Sequence, residues 1–142
     1  MFSDTPGLTD ALDADLVGFL TAVNTKGQPQ TSPIWFIRDG EDIVIYNRTR
    51  AARLRSIAEN SRVAFNLRAD AGGHSGISLE GKAVVEDSLP PAKEFPGYVD
   101  KYDGAIAELG MTPESFSDAY SVGIRVTVSR VRAWRVDRLI ED

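Results

Sequence analysis

The sequence predicts a mainly β protein, an antiparallel sheet of six to seven strands with α-helices inserted between them. Strand-like segments recur along the chain and are separated by turn residues. Helical patterns occur only as insertions, whereas a parallel sheet would need a helical crossover after each strand. Closure into a small barrel would also remove the exposed sheet edges. At 142 residues the chain is predicted to form a single domain, residues 1–142.

The N-terminal third predicts one helix and three strands. The helix runs from Thr9 to Leu16, with Thr9 as its N-cap because a threonine hydroxyl accepts hydrogen bonds from free helix amides. Strands from Val17 to Val23 and from Gln28 to Ile37 flank a turn that contains Asn and Gly. A third strand over Ile43–Tyr46 follows another tight turn, so these strands are predicted to form a meander.

The middle of the chain changes to a helical period and then returns to strands. A helix is predicted from Thr49 to Glu59, with Thr49 as its N-cap. Strands follow over Arg62–Leu67 and Ile77–Val85. The glycine-rich segment between them is predicted to be a hairpin loop, in which His74 is a surface residue.

The last third predicts two helical segments and a long strand. One helix covers the region from Tyr98 to Leu109, and a second begins at Thr112, with Pro113 at the first helical position, where its missing N–H costs nothing. Apolar and polar residues then alternate from Val122 to Trp134. This run predicts one long strand, or two strands joined at a bend.

Composition excludes several classes of function. The chain has no cysteine and one histidine, which excludes disulfides, thiolate metal sites and a multi-histidine metal centre. No window approaches 18 apolar residues, so no membrane segment is predicted, and we expect a cytoplasmic protein. The net charge of -5 argues against a general nucleic-acid binder, because binding to phosphate backbones needs a dominant basic surface.

The charge distribution singles out one segment. Between Arg48 and Arg68 there are six arginines and one acidic residue, Glu59, in a chain that is otherwise acidic. A basic segment of this kind attracts a compact anion, whereas the rest of the chain repels a long polyanion. The sequence therefore predicts a site for a small anionic group near this segment.

Arg50 and Arg53 are the strongest candidates within the arginine-rich segment. They share one flank of the predicted helix, near its amino end, where Thr49 adds a hydroxyl, so the group has the chemistry of a phosphate site. Arg55 lies four residues before Glu59, which predicts an ordinary surface ion pair instead. On composition alone, an arginine-rich solvated face is an equally good interpretation.

A second candidate region combines a proline with aromatic residues. Pro33 cannot donate a hydrogen bond to a neighbouring strand, so backbone groups near Ser32–Trp35 are free to contact a ligand. Trp35 and Tyr46 are, taken singly, more often core residues than ligand contacts. No paired carboxylates, Ser-His-Asp set or nucleotide-binding glycine motif is present, so hydrolytic chemistry has no visible machinery.

These segments resemble one known family in both type and order. The chain resembles the pyridoxamine-5'-phosphate-oxidase-like, FMN-binding split-barrel flavoproteins, and within them the actinobacterial branch associated with the deazaflavin coenzyme F420. The resemblance covers nearly the whole chain. It rests on residues 19–23, 27–29, 32–36, 46–47, 52–57, 60–63, 80–83, 101–102 and 120–122.

The resemblance implies where a cofactor binds. The family places the cofactor phosphate at the helix after the third strand, and Thr49 and Ala52-Arg53 are similar to its phosphate-binding positions. Arg53 replaces the usual lysine, and Asn60-Ser61 replaces the usual Asn-Pro. The ring system of the cofactor is implied to lie against the Ser32–Trp35 strand at a homodimer interface. The implied cofactor contacts are Ser32, Pro33, Ile34, Trp35, Tyr46, Asn47, Thr49, Arg50 and Arg53.

The implied function is that of an F420-dependent oxidoreductase, which transfers a hydride between the reduced deazaflavin and a small conjugated organic acceptor. In such a site the cofactor supplies the chemistry and the protein supplies orientation and electrostatics, so no catalytic residue is assigned. Two alternatives stay open. One is an FMN-dependent oxidase or reductase of the same fold, and the other is a non-catalytic flavin or tetrapyrrole carrier.

Overall fold

The computed structural model describes residues 1–136, which form one seven-stranded sheet. The strands are β1 (Gly18–Val23), β2 (Pro29–Ile34), β3 (Ile37–Asp39), β4 (Asp42–Asn47), β5 (Arg62–Asn66), β6 (Gly76–Val85) and β7 (Val122–Trp134). Every pair is antiparallel, in the order β2-β1-β5-β6-β7-β4-β3. The curled sheet confirms the predicted mainly β split barrel. Residues 137–142 of the predicted domain lie outside the described residues.

Four α-helices are inserted between the strands. They are α1 (Leu8–Ala14), α2 (Ala52–Glu59), α3 (Tyr98–Glu108) and α4 (Pro113–Ala119), with short 3₁₀ turns before α1 and α3. The predicted start of α4 is confirmed. Thr112 Oγ1 accepts from the N–H of Ser115 at 3.1 Å, and the Thr112 N–H donates to Ser115 Oγ at 2.9 Å, which completes a capping box.

Both N-caps predicted for the first two helices are wrong. Helix α1 begins behind Gly7, whose φ of 84° turns the chain into the helix, so Thr9 lies inside the first turn. Helix α2 begins behind Ala51, which makes no side-chain cap. Residues 48–51 form a separate turn, in which the Ala51 N–H donates to the Arg48 carbonyl at 3.1 Å. Thr49 is consequently exposed and does not cap the helix.

The predicted meander is also wrong, because the second predicted strand is two strands at opposite edges of the sheet. Strand β2 pairs only with β1 and ends at Ile34, opposite Gly18, the first residue of β1. Strand β3 pairs only with β4. Trp35 and Phe36 therefore cross from one edge of the curled sheet to the other.

The backbone groups of this crossing form hydrogen bonds with side chains of α3 instead of with a neighbouring strand. The Phe36 N–H donates to the Tyr102 hydroxyl oxygen at 2.8 Å, and that hydroxyl lies 2.8 Å from the Leu16 carbonyl oxygen. Lys101 Nζ donates to the carbonyl oxygens of Phe36 and Leu12, each at 3.1 Å. The crossing is thus fixed to α3 and to the end of α1 through polar contacts that satisfy buried backbone groups.

Strand β4 is buried on both faces and separates two apolar cores. Ile43 and Ile45 face the interior of the half-barrel, together with residues of α1 and α2. Val44 and Tyr46 face a second core formed by α3, α4 and the 3₁₀ turn before α3. The continuous apolar run in this strand is typical of a strand covered on both sides.

Strand β7 is one continuous strand, which is one of the two alternatives predicted from the sequence, the other being two strands joined at a bend. Its pairing with β6 shifts between Glu80 and Gly81, where Ser129 is the extra residue of a β-bulge. The bulge brings the two backbones close together at Gly81. A Cβ atom at Gly81 would lie 2.2 Å from the Thr127 carbonyl oxygen.

We predict that Gly81→Ala lowers the free energy of unfolding by about 1–3 kcal/mol or more, because the new methyl group meets backbone that cannot rotate away. Gly104→Ala is the matched control. It lies within α3 with no atom within 4 Å of the added Cβ, and should raise the free energy of unfolding by about 0.5–1 kcal/mol. Urea denaturation of both variants measures the two effects, and equal effects would contradict the predicted close approach.

Candidate functional site

A cavity of about 570 Å³ opens at the carboxyl end of β4. Seven of the nine predicted cofactor contacts line it, and Ser32 and Thr49 do not. The predicted residues at the cavity are Pro33, Ile34, Trp35, Tyr46, Asn47, Arg50 and Arg53. Seven further residues that were not predicted as cofactor contacts also line the cavity: Val17, Arg48, Ala51, Tyr98, Leu109, Phe116 and Tyr120.

Three arginines from the start of the arginine-rich segment line the cavity. Arg48, Arg50 and Arg53 form no salt bridge with any carboxylate of residues 1–136. Burial lowers the pKa of the half-buried Arg53 from its usual value. Guanidinium groups without an acidic partner are suited to bind an anionic group.

Arg55 forms the surface ion pair with Glu59 that the sequence predicts. Its Nε lies 3.9 Å from Glu59 Oε1, and both side chains are exposed. It does not line the cavity. The predicted distinction between Arg53 and Arg55 is therefore present in the structure.

Three rings of an aromatic stack, those of Trp35, Phe116 and Tyr120, line a wall of the cavity, and Tyr102 continues the stack behind it. The Tyr120 and Phe116 rings have centroids 4.5 Å apart, Phe116 and Trp35 follow at 5.3 Å, and Trp35 and Tyr102 at 4.8 Å, each pair stacked. The Arg48 guanidinium lies 4.6 Å above the Tyr120 ring and closes this end of the stack by a cation–π contact. These rings give the cavity an apolar surface, and their stacked faces lie against one another and, at Tyr120, against Arg48.

Two residues that line the cavity each have a buried polar atom without a hydrogen-bond partner among the described residues, Asn47 Oδ1 and the Tyr98 hydroxyl. The Asn47 amide is held by its nitrogen, which donates to the carbonyl oxygens of Ile45 at 3.1 Å and Val122 at 3.0 Å. Leaving such an atom unpaired costs about 1–3 kcal/mol.

Two tyrosines at the cavity, Tyr46 and Tyr98, have raised pKa values. Burial raises the pKa of Tyr46 to about 12, and its hydroxyl donates to the Pro90 carbonyl oxygen. Burial, with smaller contributions from neighbouring tyrosines, raises the pKa of Tyr98 further. Neither hydroxyl forms a pair with a carboxylate or histidine of residues 1–136, so these two tyrosines provide no acid–base pair at the cavity.

Among residues 1–136, no cluster of three or more His, Cys, Asp or Glu side chains is arranged to hold a metal ion. In the same part of the chain, no helix has the length and hydropathy to cross a bilayer.

The fold is that of a split-barrel protein, and its cavity is lined by three arginines and an aromatic wall. A family model described as pyridoxamine 5'-phosphate oxidase matches residues 5–135, and the chain belongs to this family. The resemblance inferred from the sequence is therefore confirmed. No curated protein shows significant similarity to the chain.

Several solved structures have the same fold as this chain. The conserved hypothetical protein Rv2991 from Mycobacterium tuberculosis has a TM-score of 0.75 and 21% identity, covering 95% of this chain and 86% of that chain. A structure titled F420 reductase has a TM-score of 0.67 and 26% identity, covering 87% and 94%. HutZ, the heme storage protein from Vibrio cholerae, has a TM-score of 0.64 and 12% identity, covering 92% and 94%.

We predict that the unfolding free energy rises with pH between about 8 and 10.5 through Lys101, which fixes the Trp35-Phe36 crossing beside the cavity. Burial lowers its pKa from 10.5 to about 8, so in this range the unfolded state binds more protons than the folded state. The cost of burying the ammonium is present below pH 8 and disappears toward pH 10.5. The difference in unfolding free energy between wild type and Lys101→Met, measured by urea denaturation, should increase across this range. A constant difference would contradict the prediction.

Proposed function

We propose that the protein is an F420-dependent oxidoreductase that transfers a hydride between the reduced deazaflavin and a small conjugated organic acceptor. The observation that carries the proposal is the pairing, in one cavity, of three arginines that lack acidic partners with a stacked aromatic wall. A cofactor that joins a phosphate to a planar ring needs both surfaces. The family membership and the 26% identity to a structure titled F420 reductase support the choice of cofactor.

The residues present fit such a group. Arg50 and Arg53 would hold the phosphate. Arg48 was not predicted as a contact, but it lines the same cavity and extends the cationic surface. Trp35 and Tyr46 would bound the ring. Ser32 and Thr49, which do not line the cavity, stay predictions from the family resemblance.

The residues that line the cavity determine what the protein and the cofactor would each contribute to the reaction. When bound, the reduced cofactor supplies a hydride, and the acceptor also takes up one proton, for which solvent water is the proposed source. The chain positions the two molecules and excludes water from the aromatic wall. Its tyrosine hydroxyls keep their protons and act as hydrogen-bond donors.

Two other functions share these observations. An FMN-dependent oxidase or reductase would use the same cationic and aromatic surfaces. A non-catalytic carrier of a flavin or tetrapyrrole is the third candidate, since a heme storage protein has the same fold at 12% identity. Parallel titration of the apo protein with F420, FMN and heme separates the three, because the proposal expects the tightest binding for F420 and turnover of an added acceptor.

We predict that Arg53→Ala weakens F420 binding by about 1.5–3 kcal/mol, the range for a hydrogen bond to a charged group, and barely changes folding stability. Arg55→Ala is the matched control on the same helix, because its exposed pair with Glu59 faces away from the cavity lining. Binding titrations at fixed ionic strength measure both variants. Equal losses would indicate a diffuse basic field, and no loss for Arg53→Ala would leave the arginines as a solvated face.

We also propose that the protein is a homodimer whose partner covers the cavity mouth. Leu16 and Phe19 are exposed apolar side chains, and so are Val17 and Leu109, which line the cavity. Exposed apolar surface of this kind beside a cavity is typical of an interaction site. Sedimentation at micromolar concentration should give twice the 15.5 kDa chain mass, and monomer alone would contradict the proposal.

A further inference from the structure

Arg48 lines the cavity from the turn of residues 48–51, which precedes α2. Its side chain is exposed, and its guanidinium forms no hydrogen bond or salt bridge among residues 1–136. An exposed arginine side chain without a partner samples several rotamers, and a ligand that binds it must overcome the loss of that freedom. A contact that fixes the guanidinium in advance would therefore strengthen the binding of an anion.

The ring of Tyr120 makes such a contact. The Arg48 guanidinium lies 4.6 Å from the centroid of the Tyr120 ring, where a cation is attracted to the face of the aromatic system. The contact engages the charge of the guanidinium and uses none of its N–H groups as hydrogen-bond donors. Both residues line the cavity, so an exposed guanidinium with free N–H groups is held at the site.

Tyr120 is itself fixed by α4. Its ring stacks on the buried Phe116 ring, with centroids 4.5 Å apart and planes within 18° of parallel. Its N–H donates to the Phe116 carbonyl oxygen at 2.8 Å, which closes the last turn of the helix. Because Phe116 occupies one face of the Tyr120 ring, the Arg48 guanidinium lies on the opposite face. The guanidinium is thereby connected to the helical layer.

Arg55 shows what a different partner does to an arginine of the same segment. Its Nε lies 3.9 Å from Glu59 Oε1, so a carboxylate offsets its positive charge. The Tyr120 ring is uncharged, and it therefore fixes the Arg48 guanidinium without offsetting the charge that an anion would bind. This difference suits Arg48, and not Arg55, to bind an anionic group.

We propose that Tyr120 is a positioning residue, which fixes the Arg48 guanidinium so that it binds an anionic group of the ligand in the cavity. The inference rests on the proposed function, because it assumes that the cavity takes an anionic ligand. Tyr120 acts through Arg48 and not through a contact with the anion. Since the guanidinium is already ordered in the free protein, binding loses less side-chain entropy.

Pyrophosphate is the probe, because it presents phosphoryl groups without a ring and so reports on the cations of the cavity. Its dissociation constant for the cofactor-free protein is measured by isothermal titration calorimetry at fixed ionic strength. We expect Tyr120→Leu to bind pyrophosphate about two- to tenfold more weakly than wild type, the factor that corresponds to ordering one long side chain. Tyr120→Phe keeps the ring and should restore wild-type affinity.

A double-mutant cycle separates positioning from a general effect on the cavity. Arg48→Met should weaken pyrophosphate binding at least as much as Tyr120→Leu does. Adding Tyr120→Leu to Arg48→Met should then cause no further loss. Arg55→Ala is the control for the general basic field and should bind pyrophosphate nearly as wild type does, since Arg55 does not line the cavity.

Proton NMR tests the position of the guanidinium directly. The δ protons of Arg48 should be shifted upfield by the Tyr120 ring current in wild type and in Tyr120→Phe. In Tyr120→Leu they should return to the chemical shift of an ordinary exposed arginine. The wild-type spectrum alone therefore tests the contact, independently of how well Tyr120→Leu folds.

Any of four results would overturn the proposal. Two concern wild type, namely Arg48 δ protons without an upfield shift and the absence of pyrophosphate binding. The third is equal affinity of Tyr120→Leu and wild type. The fourth is a loss from Tyr120→Leu that persists in full beside Arg48→Met, which would show that Tyr120 supports the cavity and not Arg48. No cofactor is added, so these results and the F420 titration can fail separately.

Discussion

The hydrogen bond between the Phe36 N–H and the Tyr102 hydroxyl is the contact on which the rest of the structure depends. It lies where the chain leaves β2 at one edge of the sheet and enters β3 at the other. Backbone groups in such a crossing have no strand to pair with, and burying them unpaired would cost more than the crossing gains. By supplying partners, α3 permits the strand order and is itself fixed against the sheet. Trp35, the adjacent residue, is thereby fixed in the cavity wall.

The two-sided burial of β4 explains why the cavity combines two kinds of surface. One face of this strand closes the interior of the half-barrel, and the other closes the core beneath α3 and α4. The strand ends at Asn47, and the chain then enters the turn that carries Arg48 and Arg50. The cavity opens at this end, so its lining draws cations from the turn and aromatic residues from the helical layer. Neither surface alone would distinguish an anionic planar ligand from a simple anion or a simple hydrophobe.

The sequence predicted the secondary-structure elements more accurately than it predicted the order of the strands in the sheet. Alternating patterns located the strands, and the Thr112-Pro113 start of α4 was predictable because its signals lie within one helical turn. The separation of β2 from β3 was not predictable, since Pro33 signals an irregularity without saying where the chain goes next. For the site, spacing separated Arg53 from Arg55. The cavity contacts of Tyr98 and Phe116 come from tertiary packing, although the i,i+4 spacing of Tyr98 and Tyr102 does indicate a buried helix face.

The aromatic wall is completed late in the synthesis of the chain, because its rings come from distant parts of the sequence. Trp35 is made early, but the rings that stack with it come from residues 102 and 116, and Tyr120 follows. Contacts between residues so distant in sequence form slowly, because the intervening chain must be ordered first. The arginine turn emerges from the ribosome long before the wall that completes the cavity. The cavity is therefore complete only after residue 120 has been synthesised and has packed against the sheet.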